Sequence, residues 1–525
     1  MSRRAGEIGA GLEPARAAVP LRPGERIHVV GAGGAAAAAA ALHAHHAGAT
    51  VSGCDTGGAS QYTRPLDRVG IPLAWEHAPS HVVAGDEVLV DRLAVTKALT
   101  AVAPDHAELL AARTHGIPAT SVQQLIADAA ATHGQALVGI AGTHGKSTTT
   151  GWVVQMLVEA GHDPSAFVGA LLSPALVGGP DASTVRVGDG GLFVVEADEY
   201  AGNFDAYRPA VGGLTNADWD HPDVFVDRAA VVAVFAAWVR RFDGGGEAPV
   251  LAANVGDAGV REVLAYLRDW PGRLLVVRLA EGDEDPDAVR AALERTHATA
   301  AGPARAIVGR WRHVVGEGSL EIAGLGDGAA VGARLALPGR HNAENGLVAA
   351  GVALASGAAP TAIARGLASY AGVGRRLELK GDLGGIVVLD DYGHHPTAMA
   401  ATFAAVRERY PGRRLWAVYE PLTYHRTAAM LSEFAAILDQ ADRVVIAQVH
   451  AGRDPDTTIT SAQELADAVA RRGRTPAWAP GTVEETADWL TARVEPGDVV
   501  LVMGGGRSYV VAERLVAFLR ERTGS

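Results

Sequence analysis

The 525-residue sequence has a single cysteine, Cys54. A lone thiol forms no disulfide within the chain, and no cysteine-based zinc site is expected; both points fit a reducing compartment. Excess positive charge is missing as well. Lys and Arg number 46 against 59 Asp and Glu, a formal charge of −13, which argues against a chain that grips nucleic acid by its phosphates. Long apolar runs are also lacking. The best candidate, AGGAAAAAAALHAHHAG, is mostly alanine and is broken by histidines, too weakly hydrophobic to cross a bilayer. The opening MSRRAGEIGAGLEPARAAVPLRPGER has two arginines but no apolar core run. It reads as a flexible tail over residues 1–25, not a signal peptide. The expectation is a cytoplasmic protein with no membrane and no nucleic-acid partner.

What is present is enough hydrophobic residue, 48%, to bury several cores, and a length that suggests three domains. RIHVVG reads as a buried strand, followed by GAGG and an alanine-rich helix at about 35–47, then the strands TVSGCD and DEVLV and the helix HAELLAARTHG. A second unit opens with the strand QALVGIA, a glycine loop and the helix TTTGWVVQMLVEAG; GLFVVEAD and AVGGLTNAD are further strands ending in polar groups. Residues 240–335, rich in Gly, Asp and Arg, resist reading, and the helix NAENGLVAAGVALASG closes the unit. From about 374, GIVVLDDYG, RRLWAVYEP, DRVVIAQV and DVVLVMGGG are four strands with helices between them. Such βαβ alternation predicts an α/β protein with parallel sheets, whose ligands sit at the carboxyl ends of the strands.

The most informative stretch is GTHGKSTTTG, residues 142–151. A strand leading through glycines into a helix N-terminus offers backbone N–H groups and a positive dipole end to an anion. Lys146 supplies a positive charge for the outer phosphates, and Ser147 offers a hydroxyl for Mg²⁺. The general pattern G-x-x-x-x-G-K-[ST] asks for glycine at position 140, where Ile140 stands. VVEADEY places Glu196, Asp198 and Glu199 at one strand end, and TNADWDHPD places Asn216, Asp218, Asp220 and His221 at another. Mg²⁺ prefers oxygen ligands, so the carboxylates suit it better than a histidine nitrogen does. The first loop, GAGG, with Asp55 some twenty residues on, has the outline of a dinucleotide fingerprint. The third glycine of G-x-G-x-x-G is replaced by Ala36, which weakens an NAD reading. Cys54 reads as a small buried residue beside that loop.

GTHGKS, VVEADEY, TNADWDH, GRHNAENGLVAA, GVGRRLE and DDYGHHPTA occur in the order found in Mur ligases, so the chain resembles that family over about residues 26–515. The family's own loop is G-T-x-G-K-[ST], with which Ile140 is no conflict. The resemblance implies a Rossmann-like domain for a UDP-sugar at 26–133, a central phosphate-loop ATPase domain at 134–373 and a Rossmann-like amino-acid domain at 374–525. It implies an ATP- and Mg²⁺-dependent ligase that phosphorylates a carboxylate and captures the acyl phosphate with an amine. Within the family the motifs look most like the branch that joins L-alanine to UDP-N-acetylmuramate. ADEY, RRLE and HHPTA also suit the murein-tripeptide branch, and a paralogue with another acid and amine is a further alternative. Carried over by motif, Gly142, Thr143, His144, Gly145, Lys146, Ser147 and Thr148 would cradle ATP, with Ser147, Glu196 and His221 as metal ligands. Asn342 and Asn345 would lie against adenine; Arg376 and Asp391 would reach the nucleotide from the third domain. Gly31, Gly33, Gly34 and Asp55 would face the UDP-sugar, and His394, His395 and Arg426 the amino acid. No general base is singled out. GAGGAAAA and EPLTYHR depart from the family's usual G-x-G-G-x-G-M-S and Q-P-H-R-Y. A hydrolase using the same loop would leave DDYGHHP without a task, and a non-catalytic module would leave Lys146, Glu196 and His221 without one.

Overall fold

Five short parallel strands form the first sheet, in the order Leu73–Ala74, Thr50–Cys54, Arg26–Val30, Arg92–Val95 and Ala119–Ser121. Strand order reverses at Arg26–Val30, and a crevice opens beyond the carboxyl end of a strand at such a switch point. The turn Gly31–Gly34 stands there. The computed structural model describes residues 8–222, 224–314, 317–326, 330–451, 454 and 456–523.

Two sequence expectations change in this domain. DEVLV is not a sheet strand: Glu87–Val88 pairs only with Val83–Ala84 in a separate antiparallel ribbon. The sheet takes DRLAV instead, because Leu93, Ala94 and Val95 are all fully buried, as a two-faced parallel strand requires, whereas Glu87 is exposed. Residues 8–25, expected to be loose, lie along the domain without regular structure. Glu13 N donates to Ala119 O at 2.7 Å, Arg16 makes paired hydrogen bonds to Asp128 at 2.9 and 2.7 Å, and Leu21 is buried. The contacts are largely polar, so no apolar periodicity announced them. Residues 1–7 of that tail lie outside the described residues.

The alanine-rich helix, Ala35–His46, is an interdomain spacer. Ala37 to Ala41 are each 2% exposed or less, and the helix packs between Val122–Thr132 of its own domain and the strands Ser165–Leu172 and Ser183–Arg186 of the next. Small side chains let backbones approach from both sides. His43 belongs to this contact: burial pushes its pKa down to about 3, and its neutral ring donates through Nε2 to Ala166 O at 3.1 Å. One hydrophobic core therefore runs from the first domain into the second.

The central sheet has ten strands. Its order is Ser183–Arg186, Ser165–Leu172, Leu192–Glu196, Ala136–Ala141, Val211–Leu214, Val250–Asn254, Arg273–Leu279, Arg305–Val314, Glu317–Ala323 and Val331–Leu335. It is parallel in the middle and antiparallel at both margins. The opaque stretch 240–335 supplies the last five strands. Ala136–Ala141 lies between Leu192–Glu196 and Val211–Leu214, with Glu196 opposite Ile140 and Leu214 opposite Ala141. This register brings the phosphate loop and both acidic strand ends to one edge. The third sheet, Glu378–Leu383, Ile386–Asp391, Asp498–Gly504, Arg414–Glu420, Arg443–Ala447 and Ala477–Gly481, is parallel except for its first strand. The fold is α/β in three domains, and no helix among the described residues is long and apolar enough to cross a membrane.

Candidate active site

A cavity of about 1000 Å³ opens where the three domains meet. Ala36 and Tyr62 line it from the first domain, Lys146 and Glu196 from the second, Arg376 and His394 from the third.

The phosphate loop is clamped by the neighbouring strand end. Thr143 N donates to Asn216 O at 3.2 Å, His144 N to Asn216 Oδ1 at 2.8 Å, and Thr215 Oγ1 to His144 O at 2.7 Å. Gly145 precedes the helix Lys146–Glu159 with φ +79°, in the left-handed region, and a Cβ there would collide with the side-chain amide of Asn345. The first turn of that helix has no intrahelical acceptors for its N–H groups. Lys146, Ser147 and those N–H groups therefore face the cavity together.

Lys146 Nζ donates to Gly142 O at 2.7 Å and to Glu199 Oε2 at 2.9 Å. Burial works against the ammonium charge, but Glu199 and Asp198 outweigh it and hold the lysine pKa above its ordinary value. Glu199 is itself pushed up to about 7 by burial, against the pull of Lys146, and its Oε1 has no hydrogen-bond partner among the described residues. Glu196 accepts from Ser147 Oγ at 3.1 Å and from Gly169 N at 2.7 Å. His221 Nε2 lies 3.8 Å from Glu199 Oε1, and burial lowers its pKa. One expected metal pair, Ser147 and Glu196, thus meets directly. His221 instead groups with Asp198 and Glu199, whose donor atoms lie within 4.8 Å of one another.

The third domain is closed onto this edge. Arg376 Nη2 donates to Ser147 Oγ at 3.4 Å, His395 Nε2 to Trp219 O at 3.1 Å, Thr397 Oγ1 to Asp218 Oδ2 at 2.8 Å and Arg426 Nη2 to Asp220 Oδ1 at 2.6 Å. Burial opposes the Asp220 charge, yet His221 and Arg426 hold its pKa well below the usual carboxylate range. Four non-glycine residues with positive φ border these contacts: His221 (56°), Arg375 (59°), Leu377 (49°) and Thr423 (64°). Such backbone strain costs about 1–3 kcal/mol per residue and gathers where a site over-determines the chain. Here it aims Arg376, between two of them, and Arg426, on the short helix that Thr423 caps.

Other motif residues have local tasks. Asn342 Nδ2 donates to Pro338 O at 2.7 Å, and Asn345 packs under Gly145. Asp391, expected to reach the nucleotide, accepts from Leu377 N at 2.9 Å, Gly393 N at 2.8 Å and Thr402 Oγ1 at 3.3 Å. It holds the turns that carry Arg376 and His394. His394 lines the cavity, whereas His395 both caps the helix Pro396–Arg409 and docks on Trp219. In the first domain Gly31 N bonds Cys54 O, Gly34 N bonds Gly31 O, and Asp55 accepts from Gly33 N at 2.9 Å and Gly57 N at 2.7 Å. The cavity wall there is made instead by Ala35, Ala36, Gln61, Tyr62, Thr96 and Gln123. Glu199 stood in the sequence only as one acid of VVEADEY; its pairing with Lys146 required the fold. Thr397 lies within DDYGHHPTA, but that motif assigns it no role, and Gly169 and Tyr62 fall outside the quoted motifs.

Three family descriptions match consecutive stretches: "Mur ligase family, catalytic domain" over 26–133, "Mur ligase middle domain" over 140–353 and "Mur ligase, glutamate ligase domain" over 375–506. A UDP-N-acetylmuramate–L-alanine ligase of Frankia casuarinae is 32% identical over 528 residues, covering 94% of this chain and 98% of that protein. The chain belongs to the Mur ligase family. Among solved structures, the UDP-N-acetylmuramate–alanine ligase of Thermotoga maritima superposes with a TM-score of 0.72 at 20% identity, covering 95% of this chain and 100% of that one. A murein peptide ligase of Psychrobacter arcticus gives 0.67 at 22% identity, covering 94% and 99%. At these identities the likeness speaks to the fold alone. Each matched stretch covers most or all of one of the three large sheets, so the cavity of this Mur ligase lies where its matched regions converge.

Proposed function

We propose that this Mur ligase joins L-alanine to the carboxylate of UDP-N-acetylmuramate with ATP as phosphoryl donor, a cytoplasmic step of peptidoglycan precursor synthesis. The Frankia casuarinae relative bears that name over nearly its whole length. The observation that carries the reading is the shared cavity, lined by the phosphate loop and carboxylates of the second domain and by Arg376, His394 and Arg426 of the third.

A carboxylate is a poor electrophile because its charge repels nucleophiles. Its oxygen attacks the γ-phosphorus of ATP, ADP leaves, and the resulting acyl phosphate has lost that charge and gained a leaving group. Negative charge spreads over the transferred phosphoryl, and a fixed ammonium and guanidinium stabilise it without reorganisation. Lys146 takes the first role from below the loop; Arg376, already at Ser147, takes the second from the third domain. The amine then attacks the acyl carbon and phosphate departs, leaving the amide. His394 Nδ1 donates to Tyr392 O at 2.9 Å, so its other nitrogen keeps the lone pair. Burial, reinforced by Arg426, holds its pKa well below the ordinary histidine value and the ring stays neutral. That makes it our candidate to receive the amine's proton. Closure of the third domain keeps water from the acyl phosphate.

The residues fit Mg²⁺. Three carboxylates, Glu196, Asp198 and Glu199, surround one ammonium, and the Glu199 oxygen without a partner marks a place for a further cation. Ser147, Glu196 and the Asp198–Glu199–His221 group would hold it, where it neutralises charge on the nucleotide's outer phosphates.

The test is phosphate release from ATP with UDP-N-acetylmuramate and a panel of amines. We expect release only when both the sugar nucleotide and L-alanine are present. Dependence on a tripeptide in place of alanine would shift the reading to murein-peptide ligation, and release without any amine would overturn ligation itself.

A further inference from the structure

The first domain buries a group of metal-competent side chains that the ligation chemistry does not use. His28 lies on the strand Arg26–Val30 and Cys54 ends the strand Thr50–Cys54. His77 and His81 follow in the next connection, and His106 and Glu108 stand at the start of the helix Ala107–Thr114. Glu108 is fully buried, and a carboxylate in that setting needs compensating charge and hydrogen bonds. Its Oε1 lies 2.6 Å from His81 Nδ1, 3.3 Å from Cys54 Sγ and 3.8 Å from His28 Nε2. His28 is 2% exposed, and its Nε2, aimed at that oxygen, has no hydrogen-bond partner among the described residues. One donor atom each from His28, Cys54, His81 and Glu108 falls within 4.8 Å of all the others.

We propose that His28, Cys54, His81 and Glu108 form a structural Zn²⁺ site. Two imidazoles, a thiolate and a carboxylate are a donor set suited to that ion, and only one of the four need be cysteine. Charge closes as well: Zn²⁺ is balanced by one thiolate and one carboxylate, with both histidines neutral. Burial already keeps His28 neutral, at a pKa of about 4. Bonds of 2.0–2.3 Å in a tetrahedron put ligand atoms roughly 3.3–3.8 Å apart. The Cys54–Glu108 and His28–Glu108 separations, 3.3 and 3.8 Å, have that spacing, the His81–Glu108 hydrogen bond at 2.6 Å must open, and the other donor pairs start within 4.8 Å. Four protein ligands leave no open position, the mark of a structural site. Around them His77 Nδ1 lies 3.2 Å from Cys54 Sγ, and His106 Nδ1 3.6 Å from Glu108 Oε2, placed to support the ligands from outside.

None of the four lines the ligation cavity. They nevertheless reach it indirectly. Cys54 O accepts from Gly31 N at 2.9 Å and Ala32 N at 3.0 Å, so an ion on Cys54 would fix the turn at the first domain's switch point. Burial and Glu108 hold the metal-free thiol far above its ordinary pKa. Zinc must therefore displace a proton, and its affinity falls as pH falls.

The test uses the full chain, stripped with chelator and titrated with Co²⁺, whose thiolate charge-transfer band reports coordination by the sole cysteine. We expect one equivalent of Co²⁺ to produce the band, one equivalent of Zn²⁺ to remove it, and Zn²⁺ to raise the unfolding midpoint. Cys54→Ser should abolish the band, and Glu196→Gln, at the nucleotide site, should leave it intact. If the unsubstituted protein gives no thiolate band and no zinc-dependent rise in midpoint, the cluster is a metal-free hydrogen-bond network and the proposal falls. Because that result comes from the unsubstituted protein, it stands even where Cys54→Ser fails to fold.

Discussion

GAGGAAA at 31–37 and GTHGKST at 142–148 look alike on paper: each follows a buried strand at the middle of a parallel sheet and opens a helix. Their physical characters differ. In the first, all four turn amides are engaged, those of Gly31 and Ala32 by Cys54 O, Gly33 by the Asp55 carboxylate, and Gly34 by Gly31 O. That turn carries its own anion. In the second, Asn216 secures Thr143 and His144 through neutral groups, and the helix opens on an ammonium and a hydroxyl. Glycine spacing says that a turn is tight. The charge of the side chain that closes it, and the residues at the first helical turn, say what it can hold.

The strongest way to break the comparison is Lys146→Ala. Removing a preorganised charge from a developing anion typically costs about 10²–10³-fold in rate, and here the same ammonium also neutralises Glu199. We expect substrate-dependent phosphate release to fall by at least ~10³-fold. The far-ultraviolet circular dichroism should be unchanged, because Glu199, already near pH 7 in its titration, can take a proton in place of the lost partner. Undiminished turnover would remove the phosphate-loop assignment.

Gly145→Ala should come next. The new side chain meets two obstacles, a φ of +79° and the Asn345 amide. Strain of that kind is worth about 1–3 kcal/mol, and relief by rotating the turn would misdirect Lys146. The expected result is a lower unfolding midpoint together with a rise of about tenfold or more in the KM for ATP. In the double variant with Asn345→Ala, the collision goes but the strained backbone stays, so rescue should be partial. Full rescue would show that crowding alone requires the glycine.

Much of this site was legible because the sheet register does simple work. Buried runs such as ALVGIA, LFVVE and VGGL end at polar residues, and parallel neighbours in register bring those ends together. What the sequence concealed depended on contacts between distant segments. The family resemblance singles out Glu196, which meets Ser147, in VVEADEY, but nothing in that stretch points to the pairing of Glu199 with Lys146. Asp391 sits in the densest polar motif, yet its carboxylate holds backbone amides of its own domain. The alanine run was readable as a helix, but its burial on two sides depends on strands more than a hundred residues on. DEVLV and DRLAV are both short apolar runs, and only pairing with Arg26–Val30 chooses between them. The six residues of the cluster, Glu108 included, are spread from 28 to 108, so no local pattern joins them.

The smallest expected effect sharpens the comparison from the other side. Gly34 corresponds in the first turn to Gly145 in the second, each immediately preceding its helix. Its φ is −87°, and a Cβ there would meet only Gly31 O, at an ordinary 3.5 Å. Exchanging glycine for alanine at such a position gives up glycine's N-cap preference, while restricting the unfolded chain returns about 0.4–1 kcal/mol, so the two effects largely offset. Gly34→Ala should therefore leave the unfolding midpoint within about a degree and the KM for ATP unchanged. The informative readout is the KM for the sugar nucleotide. If it also stays fixed, the turn acts through its neighbours Ala35 and Ala36, which line the cavity. A large rise with normal stability would mean that a ligand presses on the backbone at Gly34, and the first turn would then resemble the second more than its hydrogen bonds suggest.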